Sequence, residues 1–237
     1  MNITLIGAGR AGTSLATALA RAGHRTRLVH HDDVGELDGT ELVLLCVPDD
    51  EIAAVAGALP MGDYVVAHVA GSRGLDVLAT HRRVGSMHPL MTLPSGDVGA
   101  DRLFAATYCV AGDAVMFDVA SSLSGRVITL RDDQRTTYHA TATVAANHLV
   151  ALMSHVQRLA ESVGLGLEDF LPLARQALND VTDRGPEAAL TGAASRGDLA
   201  TIDAHLAAIP ASERPTYVAL ANAALELAER RRVQSLA

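Results

Sequence analysis

Lysine is absent from the 237-residue chain, whose 19 basic side chains are all arginine. A Schiff-base lysine, an ammonium general acid and a phosphate-loop lysine are excluded with it, because each needs that side chain itself. Tryptophan is absent too, and aromatic residues make up only 3% of the sequence, so a platform for stacking single-stranded nucleic acid is not expected. Acidic residues outnumber basic ones and leave a net charge of −8, which repels a phosphate backbone. No nucleic-acid partner is expected. The adjacent arginines, Arg82-Arg83 and Arg230-Arg231-Arg232, read as a solvated face and a helix C-terminus. Cysteine is scarce: Cys46 and Cys109 each lie in an apolar run and share no metal-ligand spacing. They read as small buried hydrophobes of a reduced, cytoplasmic protein without a metal. Met1 to Ile6 lacks the basic start and long apolar core of a signal peptide. No run reaches the roughly 18 apolar residues of a membrane span, so no membrane partner is expected.

What is present is apolar: 49% of residues are hydrophobic, and with so few rings the core must be built of Ala, Val and Leu. Ile3-Thr4-Leu5-Ile6 is a β-favouring run that ends in Gly7-Ala8-Gly9-Arg10-Ala11-Gly12. Leu15, Leu19 and Ala22 then recur at helical spacing, and Gly23 closes the helix. Strand, glycine turn and helix in that order form the context that makes GxGxxG a dinucleotide fingerprint. Gly7 permits the tight turn, Gly9 lets a pyrophosphate approach the backbone, and Gly12 lets the helix pack on the strand. The helix N-terminus offers free N–H groups and a positive dipole to the phosphates.

The second strand, Arg25 to His30, ends where the adenosine ribose is expected. An acidic residue there accepts from the 2′-hydroxyl of NAD, whereas an NADP site carries basic or small polar groups. The tip reads His30-His31-Asp32-Asp33. The imidazoles favour NADP, Asp32 would serve NAD, and two surface histidines in a loop remain the plain alternative. Leu42 to Val47 is a continuous apolar run, as a strand buried on both faces should be. Pro48 stops it, and Asp49 or Asp50 is placed to cap a following helix. Further strand signals lie at Tyr64–Val69, Thr107–Ala111 and Arg126–Leu130. The alternation predicts a Rossmann-type α/β fold, a mostly parallel sheet with helices on both faces. Ligands gather at the carboxyl ends of such strands. Val47-Pro48-Asp49, Ala70-Gly71-Ser72 and Ser86-Met87-His88-Pro89 are therefore candidate pocket walls.

The β-rich texture ends after Leu130, which predicts a dinucleotide-binding domain over 1–131 and an all-α domain over 132–237. Four helical faces follow, rich in Ala, which suits close packing and a homodimer. On the first long helix His139, Thr143 and Asn147 recur at i, i+4 and i+8. If that side faces a nicotinamide, it offers a titratable group and two hydrogen-bonding groups to a substrate. The alternative is a polar face turned to water. Arg196, in the polar loop Thr191–Asp198, is placed either to clamp a substrate carboxylate or to pair with Asp198.

These residues carry a resemblance. The N-terminal half resembles the Rossmann domain of the 6-phosphogluconate dehydrogenase-like superfamily, which includes ketopantoate reductase and pyrroline-5-carboxylate reductase. The whole chain is similar to bacterial predicted oxidoreductases that pair such a domain with a C-terminal domain of unknown function. The matching strings are Val47-Pro48-Asp49, Gly85-Ser86-Met87-His88-Pro89-Leu90, Ala111-Gly112-Asp113, Tyr138-His139-Ala140, Ala146-Asn147, Ala189-Leu190-Thr191-Gly192, Arg196-Gly197-Asp198, Thr201 and His205-Leu206. Two strings depart from it: Ala70-Gly71-Ser72 stands for Ser-Gly-Ala, and Thr191-Gly192-Ala193 for Thr-Gly-Pro. Ketopantoate reductases open the helical domain with a lysine acid; His139 stands in that place here, and Thr143 where the first asparagine would be. The resemblance implies an NAD(P)H-dependent reductase of a carbonyl or imine, with a ketopantoate-like 2-oxo acid as the leading substrate. Gly7 to Gly12, His30, His31, Val47 and Pro48 are expected at the cofactor; Ser72, His88, Thr143 and Arg196 at the substrate. Asn147, the one match to the ketopantoate reductase pattern, and His139 are expected in catalysis, the acid role of His139 resting on its place along the helix and not on the resemblance. The alternatives are a cofactor-binding sensor or scaffold without turnover, and an imine reductase on a cyclic amino acid.

Overall fold

Seven strands form one sheet: β1 (Asn2–Ile6), β2 (Arg25–Val29), β3 (Leu42–Leu45), β4 (Val65–His68), β5 (Val84–Pro89), β6 (Thr107–Gly112) and β7 (Arg126–Thr129). They belong to a computed structural model that describes residues 1–234. The strand order is β2-β1-β3-β4-β5-β6-β7. Every pairing is parallel except β5 with β6.

Period-two alternation sends side chains to two cores. Ile3, Leu5, Leu42, Leu44, Val65 and Ala67 pack on one face of the sheet; Ile6, Val43, Leu45 and Val66 pack on the other. The uninterrupted apolar run of β3 follows, since both its faces are dry. Helix α1 (Arg10–Arg21) lays Leu15 and Leu19 on the first face, and α2 (Ile52–Ala58) lays Ile52 and Ala56 on the second. Helices α3 (Gly96–Leu103) and α4 (Val115–Ser122) add Leu103, Met116 and Val119 to the first core. This is the expected α/β domain, with a mixed sheet.

The described residues divide into two compact units between Ala146 and Asn147. Residues 132–146, including α5 (Arg135–Thr143), fall in the first, because Arg135 is buried against Ser86 of β5. A π-helical turn, Val144–His148, spans the division. The second unit is all helical: α6 (Leu149–Glu161), α7 (Leu167–Ala189), α8 (Gly192–Arg196), α9 (Leu199–Ala208) and α10 (Arg214–Gln234). Helix α7 is broken at Gly185, whose φ of 75° is left-handed, just before Pro186. Among the described residues no helix is long and apolar enough to cross a membrane.

Two local expectations need correction. The segment expected as a polar loop around Arg196 contains α8, a single turn stopped by Gly197 in the left-handed conformation. Neither Asp49 nor Asp50 caps α2, which starts behind Glu51 without a side-chain cap. Asp49 accepts a hydrogen bond from Ser72 instead.

Candidate active site

The glycine turn lies at the carboxyl end of β1, beside β3, where the order β2-β1-β3-β4-β5 places the switch point of a doubly wound sheet. Its glycines have different causes. Gly7 has φ +110°, and a Cβ there would lie 2.5 Å from the Cys46 carbonyl oxygen. A Cβ on Gly12 would lie 1.8 Å from the Gly7 carbonyl oxygen. The protein itself forbids a side chain at both. At Gly9 the backbone is ordinary extended chain, and a Cβ would meet nothing within 4 Å. Packing does not explain its bareness, and the open space leaves room for a ligand to approach the backbone.

Gly9 is also the N-cap of α1, with no side-chain cap and no acidic residue in the first turn. The first-turn N–H groups are thus without a competing side-chain anion, which suits a diphosphate. Ala8 and Ala11 are half-buried and Arg10 is exposed. His30 and His31 are exposed beyond β2; His31 borders an open depression of about 360 Å³ with Val34, Ala54, Val55 and Leu59. Val47 is half-buried and Pro48 exposed at the end of β3. These residues fit a dinucleotide.

Two strands along, the same sheet edge carries imidazoles. His88, on β5, and His139, on α5, have ring centroids 6.1 Å apart. Gly71 lies against both: a Cβ there would stand 2.9 Å from His139 Cδ2 and 2.9 Å from His88 Cε1. The Ser72 hydroxyl donates to Asp49 Oδ2 (2.6 Å), tying the ends of β4 and β3. The Thr143 hydroxyl donates to the His139 carbonyl (3.0 Å), back onto its own helix. His68 is fully buried: its Nε2 is 3.1 Å from the Gly74 carbonyl, and its Nδ1 accepts from Ala70 N–H. Burial holds its pKa below the usual histidine range.

Sequence reasoning missed the supports of this cluster. Tyr138 Oη lies 2.8 Å from His88 Nδ1, with the rings edge-on at 88°. Arg135 is only 2% exposed; its Nε donates to Asp132 (2.8 Å) and its Nη2 to Ser86 Oγ (3.1 Å). Its Nη1 is buried without a hydrogen-bond partner among the described residues. A usable signal existed: Ser86 and His88 are polar alternates on an apolar strand, and Arg135 and Tyr138 lie one helical turn apart.

Asn147 and Arg196 belong to the second unit. Both are exposed. Asn147 falls in the π turn, so the i, i+4, i+8 spacing read on a regular α-helix does not carry through to it. Asp198 caps α9, accepting from Thr201 N–H (3.1 Å) and Thr201 Oγ1 (2.7 Å). Among the described residues no group of three or more His, Cys, Asp or Glu is arranged to hold a metal.

Fold and sheet order together define the class: a Rossmann-type α/β domain followed by a helical one. Residues 104–224 match the family described as "Domain of unknown function (DUF2520)". The chain belongs to that family. It is similar in structure to a Bacteroides fragilis protein provisionally described as an NADP oxidoreductase (TM-score 0.78, 22% identity, 95% of this chain and 98% of that one). A Plasmodium falciparum pyrroline carboxylate reductase with NADP bound matches over 98% of both chains (TM-score 0.63, 10% identity). A reductive aminase from Aspergillus terreus, in complex with NADPH and ethyl levulinate, matches over 95% of this chain and 93% of its own (TM-score 0.67, 18% identity). At these identities the likeness is one of fold. No curated protein matches the chain in sequence.

Proposed function

We propose that the protein is an NAD(P)H-dependent reductase of a carbonyl or imine in a small carboxylate, with a ketopantoate-like 2-oxo acid the leading substrate. The observation that carries this reading is the uncapped, unfilled space at Gly9 on the sheet edge that also bears His88 and His139. The ligands named for two relatives, NADP and NADPH, support the cofactor class. Residues 1–131 bind the dinucleotide: Gly7 to Gly12 at the diphosphate, His30 and His31 at the ribose, Val47 and Pro48 beside the nicotinamide. The imidazole pair favours NADP over NAD. When bound, the nicotinamide supplies a hydride to the substrate carbon.

Residues 132–237 complete the substrate site and form a homodimer. His88, Ser72 and Thr143 line the substrate, His139 delivers the proton to the developing alkoxide or amine, and Asn147 holds the substrate by hydrogen bonds. Arg196 takes the carboxylate, in its own or the partner subunit.

Titration with NADPH and NADH, followed by a carbonyl and imine screen read by cofactor absorbance, tests the reading. His139→Gln should abolish most turnover while cofactor affinity stays unchanged. Failure of both cofactors to bind at about millimolar concentration overturns the proposal, since working affinities lie well below that. Tight binding with no turnover across the screen would identify a nucleotide sensor instead.

A further inference from the structure

We propose that Tyr138 is a positioning residue: it locks His88 as the neutral imidazole with its proton on Nε2, a fixed N–H donor for the substrate's carbonyl oxygen. The catalytic use of that donor rests on the reductase reading; the lock itself does not.

The first argument is one of donors and acceptors. A neutral imidazole carries one N–H and one lone pair. His88 Nδ1 lies 2.8 Å from Tyr138 Oη, and that phenol has no other hydrogen-bond partner among the described residues. The phenol holds its proton, since burial pushes Tyr138 up to about 12 and the charge of Cys109 reinforces this against the opposing Arg135. An O–H that must donate, facing a ring nitrogen, makes that nitrogen the acceptor and puts the ring proton on Nε2. The reverse bond, Nδ1–H to the phenol oxygen, would pair the weaker donor with the weaker acceptor, since an imidazole nitrogen is far more basic than a neutral phenol oxygen. Nε2 itself has no protein partner among the described residues and is left for a ligand.

The second argument concerns charge. Every titratable group facing His88 can be named: Tyr138, His139 and Arg135 from α5, His68 from β4, Cys109 across the β5–β6 pair, and Asp49 beyond β3. Burial, then the charges of His139, Arg135 and His68, outweigh the single carboxylate of Asp49 and bring His88 to about 4. At neutral pH the ring is therefore uncharged. Arg135 is anchored for that purpose, sealed under the cluster by Asp132 and Ser86. Gly71, with no room for a Cβ against either imidazole, limits swinging of the ring.

A neutral N–H polarises a carbonyl without giving up its proton. His88 then acts as the electrophile and His139 as the acid, two imidazoles divided by environment.

The spectroscopic test uses the full-length protein without cofactor or substrate, and the kinetic one adds NADPH and a substrate found in the screen above. Nitrogen-15 NMR of wild type should show His88 as a single Nε2–H tautomer with its titration midpoint near about 4. Tyr138→Phe should give mixed tautomers. It should also lower kcat/KM about tenfold through misorientation, with cofactor affinity unchanged. Arg135→Met should raise the His88 midpoint, and Arg135→Lys should restore it; the lysine variant also guards against a simple loss of folding. An Nδ1–H tautomer or a charged His88 in wild type overturns the proposal, as does a Tyr138→Phe spectrum identical to wild type. If the spectra behave as expected but no cofactor binds, the lock stands and only the reductase reading falls.

Discussion

The two units of the chain keep their apolar residues differently. In the sheet unit Leu44 is 0% exposed, one of a row of Ile, Leu and Val sealed between helices on both faces of the sheet. In the helical unit the buried residues are Ala160, Ile202 and Ala228, with His155 and Glu213, while Leu173 is 69% exposed and Val150 71%. Apolar periodicity looks alike in both stretches of sequence. The difference is that a sheet can be covered from two sides by its own chain, whereas these helices leave a stripe uncovered. Such a stripe fits the homodimer proposed above.

Within the sheet unit the largest effects are expected at the glycine turn. Gly12→Ala forces a Cβ into the Gly7 carbonyl and should cost more than about 4 kcal/mol, with cooperative unfolding of the sheet unit lost in calorimetry. Gly9→Ala, three residues away, should leave the melting temperature alone and weaken NADPH binding by about tenfold or more, or about 1.4 kcal/mol. Equal stability losses in the two variants would erase the distinction between a glycine required by the fold and one required by a ligand. Next in size, Leu44→Ala should cost about 2 to 5 kcal/mol in urea unfolding. Leu173→Ala should change stability by no more than about 0.5 kcal/mol, while Leu173→Asp should shift the sedimenting species towards monomer.

The smallest effect is electrostatic and belongs to the helical unit. Glu213 accepts from Arg158 and pairs with His155 at 2.7 Å, contacts that hold its carboxyl at about 2. A carboxyl depressed in the folded state stabilises it above its unfolded pKa, and that stability drains away as pH falls from about 4.5 towards 2. Circular dichroism across that window should show Glu213→Gln flat where wild type declines.

Much of the fold is legible in the sequence because local and tertiary preferences agree. β1, the glycine turn and α1 follow from an apolar run, GxGxxG and helical spacing, and β3 from being dry on both faces. β5 is not legible as a strand: Gly85 and Pro89 weaken the propensity, and Ser86 and His88 interrupt the apolar run. Those interruptions are the candidate site. Arg135 reads locally as the exposed start of a helix beside Asp132, and only its packing against β5 buries it. A 3.6-residue period aligns Asn147 with His139, and the π turn does not obey it. Ser72 reads as a free hydroxyl until the approach of the β3 end engages it with Asp49.

The reversal between β5 and β6 has a consequence for how such a chain could be cut and recombined. β6 and β7 run against the other five strands, so Thr129 leaves the sheet at the edge opposite the glycine turn. Helix α5 makes the return journey, meeting Ser86 through Arg135 and then His88 through Tyr138. The segment that elsewhere would be a mere tether is thereby packed against the strand that carries the candidate site. A graft joined at residue 131 would keep the glycine turn and discard the phenol, the guanidinium and one imidazole. A chimera that exchanges helical halves between relatives should be spliced after Ala146, so that α5 stays with the sheet it packs on.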